Sequence, residues 1–105
     1  MPRIVLSDVV FTIESEDGEN VVVRWENVFE IFAFKLDLLT YETIRLGFRV
    51  DESGDFYEVD ESWENYADLV SEIESRFTVA EDWWSTVAYP AFETNQTTLW
   101  QRAIH

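Results

Sequence analysis

The apolar residues of this chain repeat with two periods, and the switch between them near residue 60 restricts the fold more than any other feature. Upstream, Ile44, Leu46, Phe48 and Val50 alternate with Thr43, Arg45, Gly47 and Arg49, as in a strand with one buried and one wet face. Downstream, Trp63, Tyr66, Val70, Ile73 and Phe77 recur at spacings of three and four with Leu69 alongside, the pattern of an amphipathic helix. Strands gathered first and helices after them predict an α+β fold on an antiparallel sheet. The same reading extends to the neighbouring segments. Residues 9–39 are rich in Val, Ile and Phe, interrupted by a turn over 14–20, so a hairpin returning through Val21 to Trp25 is expected, then a third strand from Val28 to Leu39. Asp51 to Asp55 reads as a turn and Phe56 to Val59 as a short fifth strand.

Helix boundaries follow from capping chemistry. Ser62 is a candidate N-cap with Glu64 in the first turn, where a carboxylate suits the positive end of the helix dipole. Thr78 and Glu81 have the spacing of a capping box, which predicts a second helix over 79–88 that Pro90 ends. Residues 97–102 are a candidate final strand. At 105 residues one core is sustainable and two are not, so residues 1–105 are expected to form a single domain.

Charge excludes whole classes of function. With 22 acidic and 7 basic residues the net charge is -15, which repels nucleic-acid phosphates and anionic membrane surfaces alike. No nucleic-acid partner and no membrane partner are expected. Ser7 and Asp8 cut short the apolar start of the chain, so no signal peptide is read and a cytoplasmic location is expected. Without cysteine there is no disulfide, thiolate nucleophile or zinc site of the usual kind, and the single histidine is His105. Asp51, Ser53 and Asp55 match the first ligands of an EF-hand loop, but Phe56 stands where glycine is needed and Ser62 where the bidentate glutamate belongs. No cofactor or metal is expected, and the chain is read as a non-enzyme.

Two surfaces remain as candidates. Residues 51–82 hold 12 of the 22 acids but, of the bases, Arg76 alone. Within them Glu64, Asp68 and Glu72 follow one another at i, i+4 and i+8 and form a carboxylate ridge, extended by Asp60 and Glu61. A solubilising face and a docking face for a basic protein are both open readings of that ridge. Trp83 and Trp84 point about 100° apart on a helix, so both are buried only if the helix is covered on two sides, and Trp84 is a candidate partner anchor. With Trp100 it also offers a route to a homodimer. The other surface centres on Lys35, the sole lysine, which shares a strand face with Asp37, with Arg45 and Arg49 expected across the hairpin. A cross-strand charge ladder on the wet face is the plainer reading, and a small ligand or catalytic site the sharper one.

The strands with Trp25 closing one, followed by a long amphipathic helix, resemble the pleckstrin-homology-like architecture. That resemblance implies a bent antiparallel sheet or partial barrel of about five to seven strands packed by a C-terminal amphipathic helix. Glu14, Glu16, Asp17 and Glu19 occupy the first hairpin where phosphoinositide-binding members carry basic residues, so lipid headgroup binding is not implied. Lys35-Leu36-Asp37-Leu38, Asp82-Trp83-Trp84, Pro90-Ala91-Phe92, Thr94-Asn95-Gln96-Thr97 and Leu99-Trp100 resemble a family of small acidic bacterial proteins without assigned chemistry. The function expected is a non-enzymatic binding module that engages a basic protein surface through Asp60, Glu61, Glu64, Asp68, Glu72 and Trp84, for instance an immunity or inhibitor protein. The alternatives are an enzyme or ligand-binding barrel using Lys35, Asp37, Arg45 and Arg49, and a homo-oligomeric structural protein.

Overall fold

Two hairpins, each turned by a glycine with positive φ, frame the described residues, which in this computed structural model are 2–37, 41–88 and 95–102. In the first, β2 (Val10–Glu14) returns as β3 (Asn20–Arg24), with Gly18 at φ 85° and the Ser15 amide donating to the Glu19 carbonyl at 3.1 Å. In the second, β5 (Glu42–Arg49) returns as β6 (Tyr57–Asp60), with Gly54 at φ 94°. Glycine alone takes that left-handed backbone without a steric cost. In this turn Asp51 Oδ1 accepts the Ser53 amide at 2.9 Å and Ser53 Oγ accepts the Asp55 amide at 3.1 Å. The acid-rich run thus serves its own backbone as a turn.

Strand β1 (Arg3–Leu6) pairs antiparallel with β2 to give a sheet in the order β1-β2-β3. Strands β4 (Glu30–Asp37) and β7 (Asn95–Gln101) complete a second antiparallel sheet in the order β6-β5-β4-β7. A 3-10 turn at Trp25–Asn27 links the sheets, while α1 (Tyr66–Arg76) and α2 (Trp83–Ala88) lie between β6 and β7 in sequence. The fold is α+β with seven strands among the described residues, divided between two sheets. The expected C-terminal position of the helix is corrected, because β7 follows both helices and pairs with β4.

One buried cluster joins the layers. Ile4, Phe11, Ile13 and Val23 of the first sheet meet Ile31, Ala33, Ile44, Leu46, Phe48 and Val59 of the second, with Leu69, Ile73, Trp83 and Val87 from the helices. The Phe11 and Phe48 ring centroids stand 4.8 Å apart across the two sheets, within the range where tilted rings attract.

Helix α1 starts at Tyr66, later than the expected Ser62, because the residues before it are drawn to β1. The Ile4 amide donates to the Glu64 carbonyl at 3.0 Å, and Asn65, at φ 70°, donates from Nδ2 to the Ile4 carbonyl at 2.8 Å. Ser62 instead closes a turn on Asp60. The expected capping box at Thr78 and Glu81 does not start a helix either: α2 begins at Trp83. In β7 the pairing slips between Ile31 and Phe32, opposite Trp100 and Thr98. The bulge places Leu99 in the buried cluster and Trp100 against it, although adjacent strand residues ordinarily face opposite ways.

The second face of β5, expected to be wet, is partly covered. Phe32 is 1% exposed yet lies outside the main cluster, on the other face of the sheet. It sits directly across from Gly47, stacks with Phe34 at 5.8 Å and meets Phe56 edge-on at 5.0 Å, while the Arg49 guanidinium lies 4.8 Å over its ring. A methyl group at position 47 would overlap that ring. Gly47→Ala is therefore expected to lower stability by about 1–3 kcal/mol. Phe32→Val should recover part of the loss, and thermal melts of the two single variants and the double variant measure both effects.

Candidate functional site

Strand register decides where the candidate residues lie. Lys35 pairs with Ile44 and so faces the core with Ala33 and Leu46, whereas Arg45 and Arg49 pair with Phe34 and Glu30 and face the opposite side. The structure therefore does not gather Lys35, Arg45 and Arg49 onto one face. The Asp37 side chain lies outside the described residues, as does His105. Lys35 is 2% exposed, so the ladder on a wet face is corrected to a buried ammonium. Its Nζ donates to the Ala88 carbonyl at 3.0 Å, at the C-terminal end of α2, and stands 3.1 Å from Glu42 Oε2. A cation there completes the last turn of a helix and locks α2 onto β4.

On the outer face Arg45 reaches Glu58 at 2.6 Å and Asp60 at 2.9 Å, and Arg49 reaches Glu30 at 2.7 Å and the Gly54 carbonyl at 2.7 Å. Asp60 is buried and fully engaged. Oδ2 accepts from Thr43 Oγ1 at 2.9 Å and from Arg45, and Oδ1 accepts from the Ser62 amide at 2.9 Å and its hydroxyl at 2.7 Å. Burial pushes its carboxyl upward, but the donors of Ser62, Thr43 and Arg45 together outweigh that and hold it below the ordinary aspartate value.

The remaining ridge residues divide as well. Glu64 is exposed but precedes the helix, Asp68 is exposed on α1, and Glu72 stands 3.5 Å from Arg76 one turn on. Glu61 is half-buried, and its amide donates to the Ile44 carbonyl at 3.0 Å. The regular ridge is thus reduced to Asp68 and Glu72, because only they occupy helical positions.

The tryptophan pair splits as its geometry requires, with Trp83 at 6% and Trp84 at 49% exposure. Trp84 opens onto a groove of about 300 Å³ between the helices, lined also by Tyr66, Ala67, Val70 and Trp83 and by the carboxylate residues Glu74 and Glu81. The Tyr66 hydroxyl is buried without a hydrogen-bond partner among the described residues. Burial, with Glu61 and Asp60 adding to it, pushes that hydroxyl above the ordinary tyrosine value. A second depression is lined by Asp8, Val9, Trp25, Glu26, Arg76 and Phe77, and in its wall the Arg76 guanidinium lies 4.7 Å over the Trp25 ring. Trp100 packs on Phe77 at 4.5 Å. Of the two tryptophans offered for self-association, Trp84 alone projects outward.

The groove was not legible as a site. Tyr66 and Val70 belong to the apolar stripe that the helical period assigns to the core, and Glu74 falls outside the i, i+4 ridge. Only the exposure of Trp84 signalled it. Among the described residues no group of three or more acidic, histidine or cysteine side chains is arranged to hold a metal, and no helix is long and apolar enough to cross a membrane. Comparison with family models, with curated proteins and with solved structures gives no match.

Two substitutions test this assignment of the internal charges. Lys35→Met keeps the stem but removes the ammonium from Ala88 and Glu42, and should cost roughly 3 kcal/mol, partly recovered by Glu42→Gln, in denaturant titration. The Asp60 carboxyl, held low in the fold, contributes stability that is complete above its unfolded value of about 4 and is lost as pH falls through the folded value. Asp60→Asn should therefore be less stable than the parent at neutral pH, and the gap should narrow as pH falls below about 4.

Proposed function

We propose that this chain is a non-enzymatic binding module whose acidic helical side docks a basic protein surface. The observation that carries this reading is how the seven cations are used. Arg3, Arg24, Lys35, Arg45, Arg49 and Arg76 each stand within ion-pair distance of a carboxylate, and Arg102 donates to the Glu26 and Val28 carbonyls at 2.7 and 2.8 Å. None of the seven is directed at Asp68, Glu74, Glu81 or Asp82, which are exposed and have no cationic partner among the described residues. Their field extends into solvent and favours association with a surface of opposite sign. A protein with a basic cleft, such as a nuclease or toxin held by an immunity protein, is one surface of that kind. The accompanying fold reading is pleckstrin-homology-like. Two antiparallel sheets of three and four strands with helices against them support it, and the strand that follows the helices departs from it.

The test is retention of basic proteins on the immobilised chain at about 50 mM and about 500 mM salt, which brackets strong and weak screening. The native chain should retain them only at low salt, and a folded Asp68→Lys, Glu74→Lys, Glu81→Lys, Asp82→Lys variant should release them. Retention indifferent to both salt and charge reversal would assign these acids to solubility alone.

A further inference from the structure

We propose that the groove between α1 and α2 is the anchoring pocket of that docking surface, and that its occupant is a basic peptide segment of a partner presenting one bulky apolar side chain between lysines or arginines. This rests on the acidic docking reading and adds to it the part that charge cannot supply.

The groove has the form of an anchor site. Its volume of about 300 Å³ is roughly twice the ~150 Å³ that takes a benzene ring in a protein interior, enough for one leucine or aromatic side chain with its backbone approaching the rim. Val70, Ala67, Tyr66 and the two tryptophans make it apolar, while Glu74 and Glu81 also line it and have no cationic partner among the described residues. Trp84 contributes little to the core of this fold, since α2 is already held by the buried Trp83 and Val87 and by the Lys35 contact at Ala88. A half-exposed indole beside a shallow apolar groove, bordered by charge, has the composition of an interface hot spot, in which an aromatic anchor is ringed by polar groups that exclude water.

The charge also selects among occupants. A second copy of this chain would bring its own net charge of -15, and in a two-fold pairing its own Glu74 and Glu81, against the same acids, so self-association through this face is opposed. A neutral apolar segment would leave the flanking carboxylates partly desolvated and unpaired, which is costly. A segment that places lysine or arginine on either side of its apolar residue satisfies both the groove and the acids. The acids attract and orient it, and the groove holds it.

The test uses the whole chain and a labelled, short lysine-rich peptide with a single central leucine, compared with the same peptide carrying serine there. Binding is read by fluorescence anisotropy at about 50 mM and about 500 mM salt. Burying a leucine should make the first peptide bind roughly ten- to a hundredfold more tightly. Trp84→Ala should erase that difference while leaving the salt-dependent binding common to both peptides. Ala67→Phe, which fills the groove from the exposed side of α1, should do the same. If both peptides bind the native chain equally and release with salt, the groove proposal is overturned while the acidic docking reading stands. If neither peptide binds at low salt, both readings fall.

Discussion

A continuous run of aromatic contacts holds the two sheets and the helical segment in one arrangement. Phe48 of β5 touches Phe11 of β2 at 4.8 Å, Phe11 touches Trp25 at 4.9 Å, Trp25 touches Phe77 at 6.1 Å, and Phe77 touches Trp100 of β7 at 4.5 Å. The run leaves the second sheet at its inner strand β5, crosses the first, passes through the 3-10 turn and the end of α1, and returns to the second sheet at its edge strand β7. Each ring buries a large area and is restricted in angle by its neighbours, so the sheets are fixed in orientation as well as in contact. Arg76 lies on Trp25 and donates to the Ser7 carbonyl at 3.4 Å, which ties the end of α1 to the loop leaving β1. The position of α1, and with it one wall of the groove, therefore depends on this spine.

The fold class was legible because the two hydrophobic periods occupy separate stretches of chain, and the hairpins were legible because Gly18 and Gly54 fall between alternating runs. Which face of β4 meets the core was not. In Glu30–Asp37 both alternating sets are largely apolar, Ile31 with Ala33 on one side and Phe32 with Phe34 on the other, so period alone does not choose between them. The choice decides the role of Lys35. Shared with Ile31 and Ala33, its face is the buried one, and the only lysine of the chain becomes the ammonium that terminates α2. A sequence reader treats lysine as a surface marker, and here it is bound by a carbonyl 53 positions away.

Local signals failed where a distant strand competed for the same backbone. Ser62 has the chemistry of an N-cap, but Asp60 offers its amide and hydroxyl an acceptor two residues away, and the Glu64 carbonyl is claimed by Ile4 of β1. Helix α1 can start only after that bridge is made. The candidate strand over 97–102 forms as β7, but its faces do not alternate strictly: Leu99 and Trp100 both pack inward, and the strand admits both only by slipping its register against Ile31 and Phe32. Pairing partners, rather than propensity, set these boundaries.

Charge placement then follows from packing. The sheets use their cations internally: Arg45 and Arg49 neutralise Glu58, Asp60 and Glu30, and Arg49 also covers Phe32 and Phe56 with its guanidinium. The helices are attached by other means, through Leu69, Ile73, Trp83 and Val87 in the core and through Lys35 from beneath. Because apolar burial holds them, their outer surface can carry acids such as Asp68 and Glu74, which have no cationic partner among the described residues. Surface repulsion of this kind costs a few tenths of a kcal/mol per close pair, small beside the burial of two large apolar residues from each helix. The fold thus tolerates an acidic surface beside a half-exposed tryptophan because neither belongs to the buried cluster that holds the helices, and the proposed docking draws on that independence.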